Sequence, residues 1–403
     1  MEFIKISRLR SSLPIVLILI YALLSACTRQ QGEIDSYLGF NLPVETIDSH
    51  IQQRMDELNI PGLSISIINR GEVVYQNTFG YANVADVLPV TDQTIFEGAS
   101  ISKSVFAFFA MTFVEDGKLD LDKPLYQYYP HPDITDDPRV EQITARMVLS
   151  NRSGFPNWRE DEADGSLKIK FEPGTDYLYS GEGFQYLAMV LREIEQTDWA
   201  GLETIFQERV AQPLGLEHTV FIQTPYTRQH KAEPYDKRGQ WIDWEDSYTF
   251  LKEDGNFYAP SSIHSGPQDF SRWMIALMNE ELLTQESYEE LFKPHASIPS
   301  DDVDASYTLG FFTLHIPFTE LYGHSGDNVG FDSWFAVDTK RDWGFVMFAN
   351  SDNGEAFGEE LFFYLLTGPN ITKLFVIIGV AALTVILLLF FGIRTIVSKV
   401  RSY

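Results

Sequence analysis

Two serine-containing segments of the chain could carry nucleophilic chemistry. Residues 323–327, which read GHSGD, come within one residue of the G-x-S-x-G elbow that presents a nucleophilic serine. That arrangement needs a histidine after the serine, and the sequence contains no histidine beyond His324. The other segment holds Ser100 and Lys103, three residues apart at the start of an apolar stretch. We therefore expect Ser100, rather than Ser325, to be the nucleophile.

The spacing of Ser100 and Lys103 places both side chains on one face of a predicted helix. The N-terminus of that helix adds backbone N–H groups and a positive dipole end beside the serine. A lysine in a desolvated pocket can lose its proton and then accept the proton of a serine hydroxyl, which makes the serine a nucleophile. Taken alone, an S-x-x-K pattern also arises by chance about once in a chain of this length, and a lysine in a first helical turn is commonly solvated.

The elements around these residues predict a sheet built from both ends of the chain. A helix with one apolar face precedes two alternating strands, which are joined by a turn at residues 69–71. Helical patterns dominate from Ser102 to about Phe292, and strand patterns return from Tyr307 onward. The predicted fold class is therefore α/β of the α+β type, with an antiparallel sheet, flanking helices and an inserted, mainly helical domain.

Four further segments join the S-x-x-K pattern in a family resemblance. Residues 143–158, 171–187, 259–274 and 323–331 together resemble the serine β-lactamase-like family, which includes class C β-lactamases, DD-peptidases and related esterases. The three motifs read SISK at 100–103, YSG at 179–181 and HSG at 324–326. The resemblance covers about residues 44–366 and implies a β-lactamase/transpeptidase-like fold.

The resemblance implies a role for each motif residue. Ser100 would attack a carbonyl group to form an acyl-enzyme, while Lys103 and Tyr179 would remove its proton and pass one to the leaving group. His324 would lie beside the serine on an inward-facing strand. The backbone N–H groups of Ser100 and Asp327 would form the oxyanion hole. Without Ser100, Tyr179 would read as a buried aromatic residue and His324 as an ordinary hydrogen-bonded histidine.

Gly181, Ser325 and Gly326 are expected to line the substrate side of the site, and the missing side chain of Gly326 would let substrate approach the strand closely. Three positions depart from the family pattern. Gly181 stands where an asparagine is common, His324 replaces a lysine, and Asp327 places a carboxylate beside the expected oxyanion hole.

Two function classes therefore stay open. One is an extracytoplasmic serine hydrolase acting on an ester, amide or D-amino-acid peptide bond. The other is a catalytically weak penicillin-binding or cell-wall sensing protein.

The two ends of the chain predict membrane attachment. Residues 1–27 have the charged, apolar and small-residue order of a signal peptide, and their LSAC ending resembles a bacterial lipoprotein signal with an acylated Cys27. An ordinary cleaved signal or a poor transmembrane segment is the alternative. Residues 374–393 form an uncharged apolar run that predicts a transmembrane helix, and the basic tail at 394–403 indicates a cytoplasmic C-terminus. Residues 28–43 are predicted to be a tether and residues 44–367 the hydrolase domain. That domain would face the periplasm or cell surface from the plasma membrane.

The composition of the chain limits the classes of partner and cofactor that we expect. A net charge of −27 disfavours nucleic acid, and a single cysteine excludes an intrachain disulfide. The sequence has no zinc-type Cys/His cluster and no phosphate-binding G-x-x-x-x-G-K-[ST] motif, so no metal or cofactor is implied. The expected partners are a small-molecule or peptide substrate and membrane lipid, whereas the sequence does not predict an oligomeric state.

Overall fold

The computed structural model describes residues 34–134, 136–243, 255–298, 304–316 and 319–369. The predicted signal peptide with Cys27, the first part of the predicted tether, the predicted transmembrane segment at 374–393 and the tail at 394–403 lie outside the described residues. Within the described ranges, no helix is long and apolar enough to cross a membrane.

A nine-stranded antiparallel sheet forms the centre of the described part of the chain. In chain order the strands are β1 (Ile34–Asp35), β2 (Asn41–Leu42), β3 (Gly62–Asn69), β4 (Glu72–Asn83), β5 (Leu88–Pro89), β6 (Phe96–Glu97), β7 (His264–Ser265), β8 (Ala296–Ser297), β9 (Ala305–Tyr307), β10 (Phe312–Ile316), β11 (Thr319–Asn328), β12 (Phe331–Asp338) and β13 (Trp343–Ala349). The large sheet has the order β5-β4-β3-β13-β12-β11-β10-β9-β8. Because β3 pairs with β13, the two ends of the chain meet at its centre, which confirms the predicted antiparallel sheet.

Helices pack against both faces of this sheet. They are α1 (Val44–Leu58), α2 (Ser102–Glu115), α3 (Ala145–Leu149), α4 (Gly181–Ile194), α5 (Trp199–Phe206), α6 (Pro225–His230), α7 (Pro267–Met278), α8 (Gln285–Phe292) and α9 (Gly354–Thr367). The terminal helices α1 and α9 share one apolar cluster with β3 and β13. Helices α2 to α8 come from the inserted region, and α2 and α7 belong to the cluster on the opposite face.

Helix α2 is buried almost all round, and this burial determines where the nucleophile lies. Phe106, Phe108, Phe109 and Phe113 along it are fully inaccessible to solvent. A helix that is apolar on every side is stable only inside a core, so the inserted helices and the sheet must enclose it. The N-terminus of α2, with Lys103 in its first turn and Ser100 just before it, is thereby held against the sheet.

Part of the predicted tether belongs to the folded body. Strands β1 and β2 pair with each other, and Ile34, Tyr37 and Leu42 are buried in the same apolar cluster as α1 and α9. The Tyr37 hydroxyl also donates a hydrogen bond of 2.8 Å to Asp338 at the end of β12. The folded body therefore begins at or before Ile34, and not at residue 44 as the sequence patterns suggested.

The strand predicted from Tyr307 to residue 316 is interrupted in the middle. Gly310 has a φ of +88°, and a Cβ there would lie 2.5 Å from the Cβ of Ala107 and 2.9 Å from the carbonyl oxygen of Lys103. Ser104 donates a hydrogen bond of 2.6 Å to the Gly310 carbonyl. The chain therefore leaves the sheet to pack on α2, and only glycine fits that conformation and that close approach.

Candidate active site

The predicted nucleophile lies in a short 3₁₀ turn, Ala99–Ile101, that runs directly into α2. Ala99 has a φ of +49°, a left-handed conformation that typically costs about 1–3 kcal/mol in a non-glycine residue. Hydrogen bonds on both sides hold the turn. The Gly98 N–H donates to the Ile263 carbonyl at 2.7 Å, and the Ile263 N–H donates to the Ser102 hydroxyl at 3.0 Å. This clamp presents the partly exposed Ser100 beside β11.

Lys103 reaches Ser100 as the spacing predicts. Its Nζ lies 3.1 Å from the Ser100 Oγ and 3.0 Å from the carbonyl oxygen of Pro260, and the side chain is fully inaccessible to solvent. Burial lowers the pKa of Lys103 well below its usual value. A neutral amine keeps a lone pair, so Lys103 can accept the Ser100 proton when the hydroxyl attacks.

Tyr179 completes the group around the serine. The Lys103 Nζ lies 4.5 Å from the centre of the Tyr179 ring, and the Tyr179 hydroxyl shares a hydrogen bond with Ser100. Although its side chain keeps some solvent exposure, burial raises the pKa of Tyr179 far above its usual value. Tyr179 is therefore a neutral phenol at pH 7. It is suited to donating a proton to a leaving group and not to acting as a phenolate base.

His324 lies on β11 next to Tyr179, with the two ring centres 5.8 Å apart. Its Nδ1–H donates to the Ser325 carbonyl, so its Nε2 accepts a hydrogen bond of 3.1 Å from the Tyr307 hydroxyl. Burial lowers the pKa of His324 to about 3. His324 is thus a neutral residue with both ring nitrogens engaged. The sequence did not reveal Tyr307, because its contact depends on strand register.

Gly326 brings β11 directly against the nucleophile turn. A Cβ at Gly326 would lie 2.3 Å from the Gly98 carbonyl oxygen and 3.0 Å from the backbone nitrogen of Ser100. The strand can pass this closely only without a side chain. Asp327 follows Gly326 directly on β11, and the pairing of its backbone N–H with the Ser100 N–H as an oxyanion hole stays a prediction. Since side chains alternate along a strand, the exposed Asp327 carboxylate projects to the opposite face from the position of a Gly326 Cβ.

One edge of this part of β11 is open. Strand β10 pairs with β11 only from Thr319 to Gly323, whereas β12 pairs with it as far as Asn328. Among the described strands, none pairs with residues 324–328 on the β10 side. The backbone groups along this edge are available to a substrate that lies beside the strand.

Gly181 and Ser325, the remaining predicted substrate-side residues, have distinctive neighbours. A Cβ at Gly181 would lie 2.9 Å from the Trp158 ring and 2.8 Å from the Asn157 carbonyl oxygen. The indole therefore occupies the space that an asparagine side chain at position 181 would need. Ser325 donates a hydrogen bond of 3.0 Å to the Glu355 carboxylate at the start of α9. The sequence had predicted no role for Trp158 or Glu355.

A buried ion pair lies behind the nucleophile turn. Glu97 pairs with Lys231, and its second oxygen accepts a hydrogen bond of 2.6 Å from the Asn328 side chain. Burial alone would raise the pKa of Glu97, but the charge of Lys231 and these hydrogen bonds lower it overall. Asn328 also donates to the Ser261 carbonyl at 3.3 Å. This network connects β11 and β6 with residues 260–261, where the Pro260 carbonyl accepts a hydrogen bond from Lys103. The sequence alone did not indicate these contacts.

The site contains no evident place for a metal. Within the ranges that the structure describes, no group of three or more His, Cys, Asp or Glu side chains could hold a metal ion. The arrangement instead provides a serine hydroxyl, a lysine amine whose pKa is lowered by burial, and a neutral phenol. Groups of these kinds serve in nucleophilic acyl transfer.

The chain is similar to several known proteins. The sequence is 24% identical over 327 residues to Protein flp of Staphylococcus aureus (strain MW2), covering 76% of this chain and 63% of that protein, so it spans less than two thirds of that relative. It is also 24% identical over 329 residues to the putative penicillin-binding protein PbpX of Bacillus subtilis (strain 168), covering 78% of each.

The solved structure of the octameric penicillin-binding protein homologue from Pyrococcus abyssi has a similar fold. The TM-score is 0.64 at 23% sequence identity, and the alignment covers 77% of this chain and 74% of that one. The family whose sequence model matches is described as Beta-lactamase, and the match runs over residues 47–367. Since this match spans most of the chain, including all three motifs, the protein belongs to the Beta-lactamase family.

Proposed function

We propose that the protein is an extracytoplasmic serine hydrolase that forms an acyl-enzyme through Ser100 on an ester, amide or D-amino-acid peptide bond. The observation that carries this proposal is the 3.1 Å separation between the Ser100 Oγ and the fully buried Lys103 Nζ. A fully buried lysine that is aimed at a serine serves no evident structural purpose, because the desolvation of its amine opposes folding.

The proposed reaction follows from the positions of these groups. Ser100 Oγ attacks the substrate carbonyl while its proton moves to the Lys103 Nζ. The carbonyl oxygen becomes an oxyanion and is held by the backbone N–H groups of Ser100 and Asp327, each worth about 2.7–4 kcal/mol in comparable enzymes. Tyr179 then donates its proton to the leaving group as the bond to the carbonyl carbon breaks, and it recovers a proton from Lys103. Water releases the acyl group in the reverse sequence of proton transfers.

The extracytoplasmic location is part of the proposal and is supported by the sequence at both ends. The signal-like residues 1–27 and the apolar run at 374–393 favour a body that faces outward from the plasma membrane. Protein fractionation and protease accessibility in intact cells would test this part independently of the chemistry.

A penicillin-binding or cell-wall sensing protein with little turnover is the second candidate. Two relatives bear penicillin-binding names. In addition, Trp158 fills the space beside Gly181, so recognition of an amide side chain of the substrate must differ from the family pattern. These features favour a protein in which the acyl-enzyme at Ser100 forms at a normal rate but is hydrolysed slowly.

One experiment separates the two candidates. The purified protein and its Ser100→Ala variant are treated with a fluorophosphonate probe, nitrocefin and a panel of p-nitrophenyl esters. We expect labelling and ester turnover in the wild-type protein and neither in the variant. Labelling without turnover would support the sensing protein, and turnover that survives in the variant would refute the site.

A further inference from the structure

A groove of about 510 Å³ adjoins the third motif on the α9 side of the sheet. Its walls are mainly apolar, with Leu321 and Trp334 from the sheet and Phe362 and Phe363 from α9. Phe363 is 48% exposed, which is unusual for a large apolar side chain on an otherwise well-packed helix. A concave apolar surface of this size is suited to a small organic group.

The groove is continuous with the catalytic residues. His324 and Ser325 line it, and Phe312 connects the two regions, since its ring lies 4.7 Å from that of His324 and 6.1 Å from that of Tyr179. Tyr179 is the proposed proton donor to the leaving group. A leaving group that Tyr179 protonates can therefore extend past Phe312 and His324 into this groove.

The charged groups of the groove are acidic. Glu355 and Glu359, both exposed on α9, line it, and Glu355 holds the Ser325 hydroxyl at 3.0 Å. No lysine or arginine stands among the described residues that line it. The histidine at its border is neutral, because burial lowers the pKa of His324 to about 3. The charge of Glu355 also acts on Tyr179, where it helps to raise the pKa of the phenol.

We propose that this groove receives the leaving group of the substrate and selects a leaving group that has both an apolar part and a positive charge. The inference rests on the proposed acyl-enzyme function and specifies its substrate class. An anionic leaving group, such as one ending in a carboxylate, would meet Glu355 with no cation to offset the repulsion. A cationic group is attracted by both glutamates, while its apolar part lies against Trp334 and Phe362.

The test uses thioesters that share one acyl group, so that differences in kcat/KM arise from the leaving group. The full-length protein in detergent is assayed with the S-butyryl esters of thiocholine, propanethiol and 3-mercaptopropionate. The released thiol is measured with a disulfide reagent, and each rate is divided by the rate of alkaline hydrolysis of that ester. We expect the cationic ester to be the best substrate and the anionic ester to be the worst.

Two variants test the residues responsible. Glu355→Gln should lower the ratio of kcat/KM for the cationic ester to that for the anionic ester about tenfold, since one charge is removed from a solvent-exposed site. The matched control is Glu286→Gln on α8, which removes an equal charge away from the groove and should leave the ratio unchanged. Among neutral thiols, kcat/KM should rise with chain length, by up to about fourfold for each methylene that is buried.

The outcomes distinguish this inference from the function on which it rests. Turnover of all three esters in the Ser100→Ala variant would refute the proposed function. Ser100-dependent turnover that is fastest with the anionic ester, or a ratio unaffected by Glu355→Gln, would leave the function intact and overturn the leaving-group assignment.

Discussion

Replacing Lys103 with methionine should abolish acylation and at the same time make the stability of the protein depend differently on pH. The free lysine side chain has a pKa of 10.5, and burial holds the folded-state pKa well below that value. Below pH 10.5 the unfolded chain binds a proton at this lysine that the folded chain does not bind. The lysine therefore opposes folding, and this opposition grows as the pH falls until the buried amine itself becomes protonated.

The size of the effect follows from one proton. We consider the pH range in which the unfolded lysine is charged and the folded lysine is neutral. There, the free energy of unfolding of the wild-type protein should fall, relative to that of Lys103→Met, by about 1.4 kcal/mol for each unit by which the pH is lowered. Methionine has a similar length and leaves no charge to bury, but it also leaves the Pro260 carbonyl without its 3.0 Å partner. That loss costs about 1–3 kcal/mol and does not depend on pH.

Urea denaturation of both proteins at pH 7.5, 8.5 and 9.5 measures the difference, and fluorophosphonate labelling of Ser100 measures acylation. Groups that titrate in both proteins cancel in the comparison. Lys340→Met, at an exposed position, is the matched control and should give a stability difference that is flat over the same range. A flat difference for Lys103→Met as well would show that the folded lysine is charged. Its assignment as the base would then be untenable.

Two further substitutions test the supports of the site. Gly326→Ala places a Cβ 2.3 Å from the Gly98 carbonyl oxygen and should push β11 away from Ser100. Labelling of Ser100 should fall at least about a hundredfold, as on loss of one oxyanion donor, and an unchanged labelling rate would contradict the predicted hole. Glu97→Gln leaves Lys231 buried without its ion-pair partner and should destabilise the fold by about 3–5 kcal/mol. Urea denaturation should show partial recovery in the double variant Glu97→Gln/Lys231→Met, and equal losses in both would argue against a paired charge.

Local patterns predicted the elements of the fold well. The apolar face of α1, the turn between β3 and β4 and the burial of α2 all follow from periodicity and turn chemistry that a few neighbouring residues contain. The interruption at Gly310 was not predictable in this way. Its cause is Ala107 on a different element, and the sequence around Gly310 gives no sign of that contact.

The same distinction holds for the site. Ser100 and Lys103 belong to one turn of helix, so their proximity could be predicted from spacing alone. The hydrogen-bond partners around the site come from distant segments. The Pro260 carbonyl accepts a hydrogen bond from Lys103, and the Tyr307 hydroxyl donates one to the Nε2 of His324. The Glu355 carboxylate accepts one from Ser325. Each of these contacts depends on sheet register or loop packing. The family motifs could indicate which residues form the site. They could not indicate how polar the surroundings of those residues are.

The alternation of side chains along β11 keeps the carboxylates near the site away from Lys103. His324 and the Cα of Gly326 face the water-poor side that contains Lys103, while Ser325 and Asp327 face the α9 side that contains Glu355. A carboxylate on the Lys103 side would favour the ammonium form and raise the pKa of the amine, which would remove the base. Because the strand places its carboxylates on the other face, burial alone governs Lys103. Consequently the carboxylate of Asp327, which looked unfavourable beside an oxyanion hole, lies on the face of β11 away from Lys103 and does not favour the ammonium form of that lysine.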